Sequence, residues 1–204
     1  MSYYKFTPAY SYHRGEHPYV SWQNGFSDDE IDQIVEIGES LPKIKATVGQ
    51  GVDNKEIRRS NTSWVAEHNC PWLYEKLGYI VQQLNGQFYD YDLWGFHEDM
   101  QYTTYTSEDK GFYDWHQDSM ALTLNENNVD SRLPRKFSIS LQLSDPKEYK
   151  GGDLLIKSGQ TPLKMSKSKG LVVAFPSFMV HKVTPVTEGI RRSLVVWVTG
   201  PAFK

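Results

Sequence analysis

The sequence predicts an α+β protein: a double-stranded β-helix, or jelly roll, with N-terminal helices packed on one of its sheets. Three observations carry that expectation. Apolar residues recur at helical spacing up to about residue 86 and at strand spacing after it. Turn signals then divide the C-terminal half into roughly eight short segments. Within those segments one face is apolar and the other polar. A single domain over residues 1–204 is expected, with an N-terminal arm at 1–24, a helical part at 25–86 and a jelly-roll core at 87–200.

The opening residues are aromatic and polar without clear periodicity, as an arm or edge segment would be. A first helix starts after Ser27. Ser27-Asp28-Asp29-Glu30 is a capping box, and its acids suit a helix N-terminus. Ile31, Ile34, Val35 and Ile37 form its apolar stripe, which ends near Leu41-Pro42. The run 46–62, ATVGQGVDNKEIRRSNT, is Gly-rich and charged, the composition of a loop. A second helix is expected from Pro71, in its first turn, to Gly86, burying Leu73, Leu77, Ile80, Val81 and Leu84. Strands are expected at 89–96, 100–106, 112–118, 137–143, 153–156, 171–175, 179–183 and 193–198.

Strand parity assigns the faces. In FSISLQL, Phe137, Ile139, Leu141 and Leu143 point one way; Ser138, Ser140 and Gln142 point the other. In RRSLVVWV, Arg192, Leu194, Val196 and Val198 oppose Arg191, Ser193, Val195 and Trp197. The apolar faces suit helices. Polar faces turned into a barrel are costly unless they hydrogen-bond something, which points to a ligand cavity in the mouth of the roll.

Composition narrows the function classes. The net charge is −3, which gives no bulk electrostatic drive toward nucleic acid or an anionic membrane. Cys70 is the lone cysteine, so an internal disulfide and a Cys-based zinc cage are excluded. The first residues lack the apolar core of a secretion signal, and the apolar runs are too short to span a bilayer. A cytoplasmic setting is expected.

The chemistry centres on FYDWHQDSM, residues 112–120. His116 and Asp118 sit two apart on an expected strand, so both can face one metal ion, about 6.6 Å apart along the chain. His181, near the end of a later apolar strand, is the candidate third ligand. Two histidines and a carboxylate on one face of an octahedron suit non-haem Fe(II) oxygen chemistry. Beyond His181, across the expected turn at 184–189, Arg191 falls on the inward face, where a guanidinium could grip a carboxylate through two hydrogen bonds. Tyr105 and Gln142 are candidate donors to the same carboxylate. His97-Glu98-Asp99 looks metal-like, but strand neighbours point to opposite faces.

These residues resemble the Fe(II)/2-oxoglutarate-dependent dioxygenases of the prolyl 4-hydroxylase type. IRRSNTSW (57–64), QYTTY (101–105), LSDPKEYKGGDL (143–154) and FPSFMVHKVTPVTEGIRRSLVVW (175–197) extend the likeness over roughly residues 25–200. The last segment is particularly similar to bacterial and phage-type protein hydroxylases. The resemblance implies that His116, Asp118 and His181 hold Fe(II) and that Arg191 binds the distal carboxylate of 2-oxoglutarate, assisted by Tyr105, with Tyr102 or Tyr113 as alternatives. It implies O2 as second co-substrate, succinate and CO2 as products, and hydroxylation of a prolyl residue in a peptide or protein. Asp118 fills the position that is small in the related halogenases. Arg58, Arg59, Ser60 and Trp64 resemble the segment that folds over peptide substrates. Trp197, Arg132 and Arg135 are further candidate substrate contacts, the last two in the long segment 119–135. A small-molecule hydroxylase and a non-enzymatic jelly-roll binding protein are the alternatives.

Overall fold

The computed structural model describes residues 17–46, 54–119 and 133–201. Residues 1–16 of the expected arm, Arg132 and most of the 119–135 segment lie outside them.

The element order is β1 (Val20–Trp22), α1 (Asp28–Ser40), β2 (Ile44–Lys45), β3 (Arg58–Arg59), β4 (Asn61–Val65), α2 (Pro71–Leu84), β5 (Met100–Thr106), β6 (Phe112–His116), β7 (Arg135–Gln142), β8 (Tyr149–Gly151), β9 (Leu154–Ile156), β10 (Leu163–Lys164), β11 (Val172–Pro176), β12 (His181–Val183) and β13 (Val186–Thr199). Among the described residues they form two antiparallel sheets. The larger runs β1-β11-β7-β13-β5-β4-β2, with β8 attached to β13; the smaller runs β10-β9-β12-β6-β3.

Two apolar clusters result. One joins Ile31 and Ile34 of α1 and Leu73, Leu77 and Ile80 of α2 to Tyr102, Ile139, Leu141, Leu194 and Val196 on the outer face of the larger sheet. The other, with Tyr105, Ile156, Val173, Phe175, Val183 and Val186, fills the space between the sheets. β11 shows the alternation directly: Val172 and Ala174 belong to the first cluster, Val173 and Phe175 to the second. The Ser27 capping box is present, with the Ser27 side chain bonded to the Glu30 amide at 3.2 Å and the Glu30 carboxylate to the Ser27 amide at 2.7 Å.

Gly38 lets α1 approach the sheet. A Cβ there would lie 2.4 Å from the Tyr102 ring. Alanine is the better helix former by about 1 kcal/mol, but it would drive the helix off a fully buried ring, an overpacking cost of roughly 1–3 kcal/mol. Gly38→Ala is therefore expected to lower the urea midpoint. An unchanged or higher midpoint would show that α1 shifts freely on the sheet.

Three expectations need correction. No strand covers 89–96: a π-helical turn, Asn85–Tyr89, extends α2, and one isolated bridge, Gly95 to Thr199, follows. The Asn85 side chain captures Tyr91 by bonding both its amide and its carbonyl at 2.9 Å, and Asp90 takes a left-handed conformation. The aromatic run then packs as rings, with Tyr89 and Tyr91 against Phe137. The run 46–62 is not all loop, because β3 and the start of β4 lie in it; Thr62 and Ser63 are fully buried there, and small polar residues hide a strand's periodicity. The turn expected at 184–189 is shorter, since β13 already pairs with β8 from Val186.

Candidate active site

His116 and His181 are directly opposed across the β6–β12 pair, which is why residues far apart in sequence meet. Their rings lie 4.1 Å apart. Asp118 follows β6, where its amide bonds the Ser177 carbonyl at 3.0 Å. Its Oδ1 lies 3.8 Å from His116 Nε2 and its Oδ2 3.5 Å from His181 Nε2. One ligand atom from each of the three residues falls within 4.8 Å of the others.

Local hydrogen bonding sets what these groups offer. His116 Nδ1 lies 2.7 Å from the Asp114 carbonyl and His181 Nδ1 2.9 Å from the Met179 carbonyl. A carbonyl only accepts, so each Nδ1 carries a proton, and in the neutral ring Nε2 presents a lone pair on the Asp118 side. Burial, then the neighbouring His181, pushes the His116 imidazolium down to about 3, so the ring is neutral at neutral pH. Burial alone would raise the Asp118 carboxyl. The two histidines, with Ser138 and Trp197, outweigh it and hold the carboxyl below its usual range. Asp118 Oδ2 is buried without a hydrogen-bond partner. Two lone pairs and an orphaned carboxylate oxygen, converging in a buried spot, are a donor set that fits a divalent cation.

Arg191 lies on the inner face of β13, opposite Tyr105 of β5. It is 1% exposed. Its Nη1 donates to Ser193 Oγ and its Nη2 to Gln142 Oε1, each at 3.1 Å, while Nε has no partner. Among the described residues no carboxylate pairs with it. An uncompensated buried cation costs several kcal/mol, so this one is poised for an anion. Arg192, one residue on, points outward and pairs with Glu39 at 2.9 Å.

Comparison with known proteins accords with this geometry. Residues 100–199 match the family model of the 2OG-Fe(II) oxygenase superfamily. That segment, just under half of the chain, holds the whole two-histidine, one-aspartate cluster and Arg191. The family uses Fe(II), 2-oxoglutarate and O2, and the donor set above fits them. A PKHD-type hydroxylase of Alteromonas mediterranea is 31% identical over 86 residues, 42% of this chain and 37% of that protein. The chain thus spans well under half the length of the curated relatives it matches. Two solved structures share the fold. A Trichoplax adhaerens prolyl hydroxylase in complex with a hypoxia inducible factor peptide has TM-score 0.70 and 17% identity, covering 90% of this chain and 84% of that one. A Pseudomonas putida prolyl-4-hydroxylase has TM-score 0.67 and 16% identity, covering 94% and 95%.

The remaining candidates of this oxygenase domain fall into groups. Tyr105 is buried in the inner cluster, with the Arg191 guanidinium carbon 5.3 Å from its ring centroid. Tyr102 is on the opposite face, bonded to Glu39 at 2.8 Å, and cannot reach the cavity. Tyr113 stacks on His116 at 3.4 Å. Gln142 already engages Arg191 and Ser140. Arg58 is buried rather than solvated: it bonds Ser60 Oγ at 2.9 Å and Gln101 Oε1 at 3.2 Å, and lies 4.5 Å from the Tyr113 ring. Trp197 is buried beside Asp118, but its indole N–H finds no hydrogen-bond acceptor. One flank of Trp197 meets Trp64, ring to ring at 6.3 Å, and Arg135 lies 3.6 Å from its ring. Arg135 is held by Glu98. His97 bonds Thr199 Oγ1 at 2.7 Å, so 97–99 forms no metal site.

Sequence reasoning missed Ser193 and Tyr149 beside Arg191. Ser193 was visible in the inward parity of β13. Tyr149 precedes Gly151-Gly152, which reads as a plain turn.

Among the described residues no helix is long and apolar enough to cross a membrane.

Proposed function

We propose that this chain is an Fe(II)- and 2-oxoglutarate-dependent hydroxylase acting on a prolyl residue of a peptide or protein. The observation that carries the reading is Arg191, a buried cation with no carboxylate partner among the described residues, on the inner face of the roll that also holds the two-histidine, one-aspartate cluster. His116 and His181 would bind the metal through Nε2 and Asp118 through its carboxylate. Arg191 would take the distal carboxylate of 2-oxoglutarate, with Gln142 and Ser193 fixing its two terminal nitrogens and Tyr105 walling the pocket. Bound Fe(II) supplies oxygen activation, by which 2-oxoglutarate and O2 become succinate and CO2 as a substrate C–H becomes C–OH.

The mouth supports a peptide. Trp64 is 38% exposed beside Trp197, an aromatic surface suited to a flat aliphatic ring. β3, with Arg58, forms an edge of the smaller sheet next to β6, and Ser60 follows it. Both solved relatives are named as prolyl hydroxylases, one with a peptide bound.

The test is a panel of proline-containing peptides with Fe(II) and 2-oxoglutarate, read by mass spectrometry and succinate release. A +16 Da product on proline, matched by succinate, is expected. Turnover with free amino acids but with no peptide would replace the reading by a small-molecule hydroxylase.

A further inference from the structure

Tyr149 has no part in the site so far, yet it is buried against the residue that matters most to co-substrate binding. It begins β8 and is 4% exposed. Its ring edge and the Arg191 stem meet at Gly152, and the neighbouring guanidinium works against the rise that burial gives its hydroxyl pKa. Lys167 Nζ lies 4.8 Å from its ring centroid. Lys167 is itself anchored by Asp153 at 2.9 Å and by the Gly151 carbonyl.

Gly152 makes this packing possible. Its φ is +61°, and a Cβ there would lie 2.9 Å from Arg191 Cδ, 3.0 Å from Val186 Cγ2 and 3.2 Å from Tyr149 Cε2. Arg191 is thus bounded on its stem by Gly152, with the Tyr149 ring alongside, and at its head by Gln142 and Ser193. A long arginine side chain carries about 2 kcal/mol of rotamer entropy, and pre-ordering it removes that cost from anion binding. The guanidinium's reach into the cavity also sets the distance available between metal and anion.

We propose that Tyr149 is a positioning residue for Arg191, and that with Gly152 it sets the chain length of the keto diacid the pocket accepts. The inference rests on the assignment of Arg191 to the distal carboxylate. A packing-only role for Tyr149 would leave chain-length discrimination unmoved.

The test uses Tyr149→Phe, which removes one oxygen and keeps the ring over which Lys167 lies. Binding of N-oxalylglycine, an unreactive 2-oxoglutarate mimic, is measured by calorimetry on the Mn(II)-loaded protein, with Arg191→Met alongside. Discrimination between 2-oxoglutarate and 2-oxoadipate, one methylene longer, is measured by competition. Tyr149→Phe is expected to weaken the mimic roughly 5- to 20-fold, the worth of one polar partner of a charged group. Mn(II) affinity should hold, and discrimination should fall several-fold. Lys167→Met, which removes the cation over the ring, should shift both in the same direction by a smaller factor, and serves if Tyr149→Phe does not fold. Equal binding and equal discrimination in the variants, with Arg191→Met still defective, would overturn the role of Tyr149 alone. Binding by wild type that Arg191→Met leaves intact, or no binding by wild type, would overturn the co-substrate assignment and this inference with it.

Discussion

Asp118→Ala is expected to abolish turnover and weaken divalent-metal binding at least ~100-fold, while lowering the stability of the metal-free protein by only about 1–2 kcal/mol. The carboxylate is 8% exposed, and Oδ2 has no hydrogen-bond partner. Burying such a charge costs several kcal/mol, and the two histidines, with Ser138 and Trp197, offset enough of it to hold the carboxyl below its usual range. Alanine removes the charge and keeps the backbone bond from residue 118 to Ser177. The cavity it opens costs about 1–2 kcal/mol, the larger part of the expected loss. The check is a melting curve with and without Mn(II). Wild type should rise in melting temperature with metal, by mass action on the folded state, and the variant should not. A variant that melts well below metal-free wild type would make Asp118 a structural residue. A variant that still rises with metal would move the site elsewhere.

Arg191→Met is expected to raise the 2-oxoglutarate KM at least ~100-fold, since two charge-assisted hydrogen bonds are worth about 3 kcal/mol or more. Arg191→Lys should recover little, because an ammonium on a flexible stem offers no two-pronged contact. The stability of the metal-free protein should change by only about 1 kcal/mol in either direction. Removing an uncompensated buried cation helps, and leaving Gln142 and Ser193 short of a donor hurts. Steady-state kinetics in 2-oxoglutarate and a urea melt check the two halves separately. A large loss of stability with an unchanged KM would show that Arg191 braces the barrel.

How much of this could be read beforehand depends on the element. In β7 and β13 the apolar side chains alternate with serines, glutamine or arginine, so faces and candidate residues were legible from parity alone. His116 and Asp118 were legible as a pair because both lie within one strand's reach. Their meeting with His181 depends on cross-strand register, which one strand's sequence does not contain; it was reached through a third-ligand argument and a resemblance. β4 was illegible because Thr62 and Ser63 carry its buried positions. The segment after α2 was misread because Asn85 and the Tyr89–Tyr91–Phe137 packing, rather than a ladder, decide its path. Tyr149 and Arg191 crowd together over Gly152, which has no side chain, a closeness that no periodicity encodes.

Both histidines present the same ring nitrogen for the same reason. Each is gripped at Nδ1 by the carbonyl two residues earlier in the chain, Asp114 within β6 for His116 and Met179 in the turn before β12 for His181. Many metal sites assign that orienting task to a carboxylate side chain, which a single substitution can delete. Here the acceptor is peptide backbone, which every amino acid carries. The two imidazoles therefore keep their tautomers through any replacement at 114 or 179 that preserves the backbone path. Outer positions around the iron site are free to drift over evolutionary time, while the electronic character of its nitrogen donors stays constant.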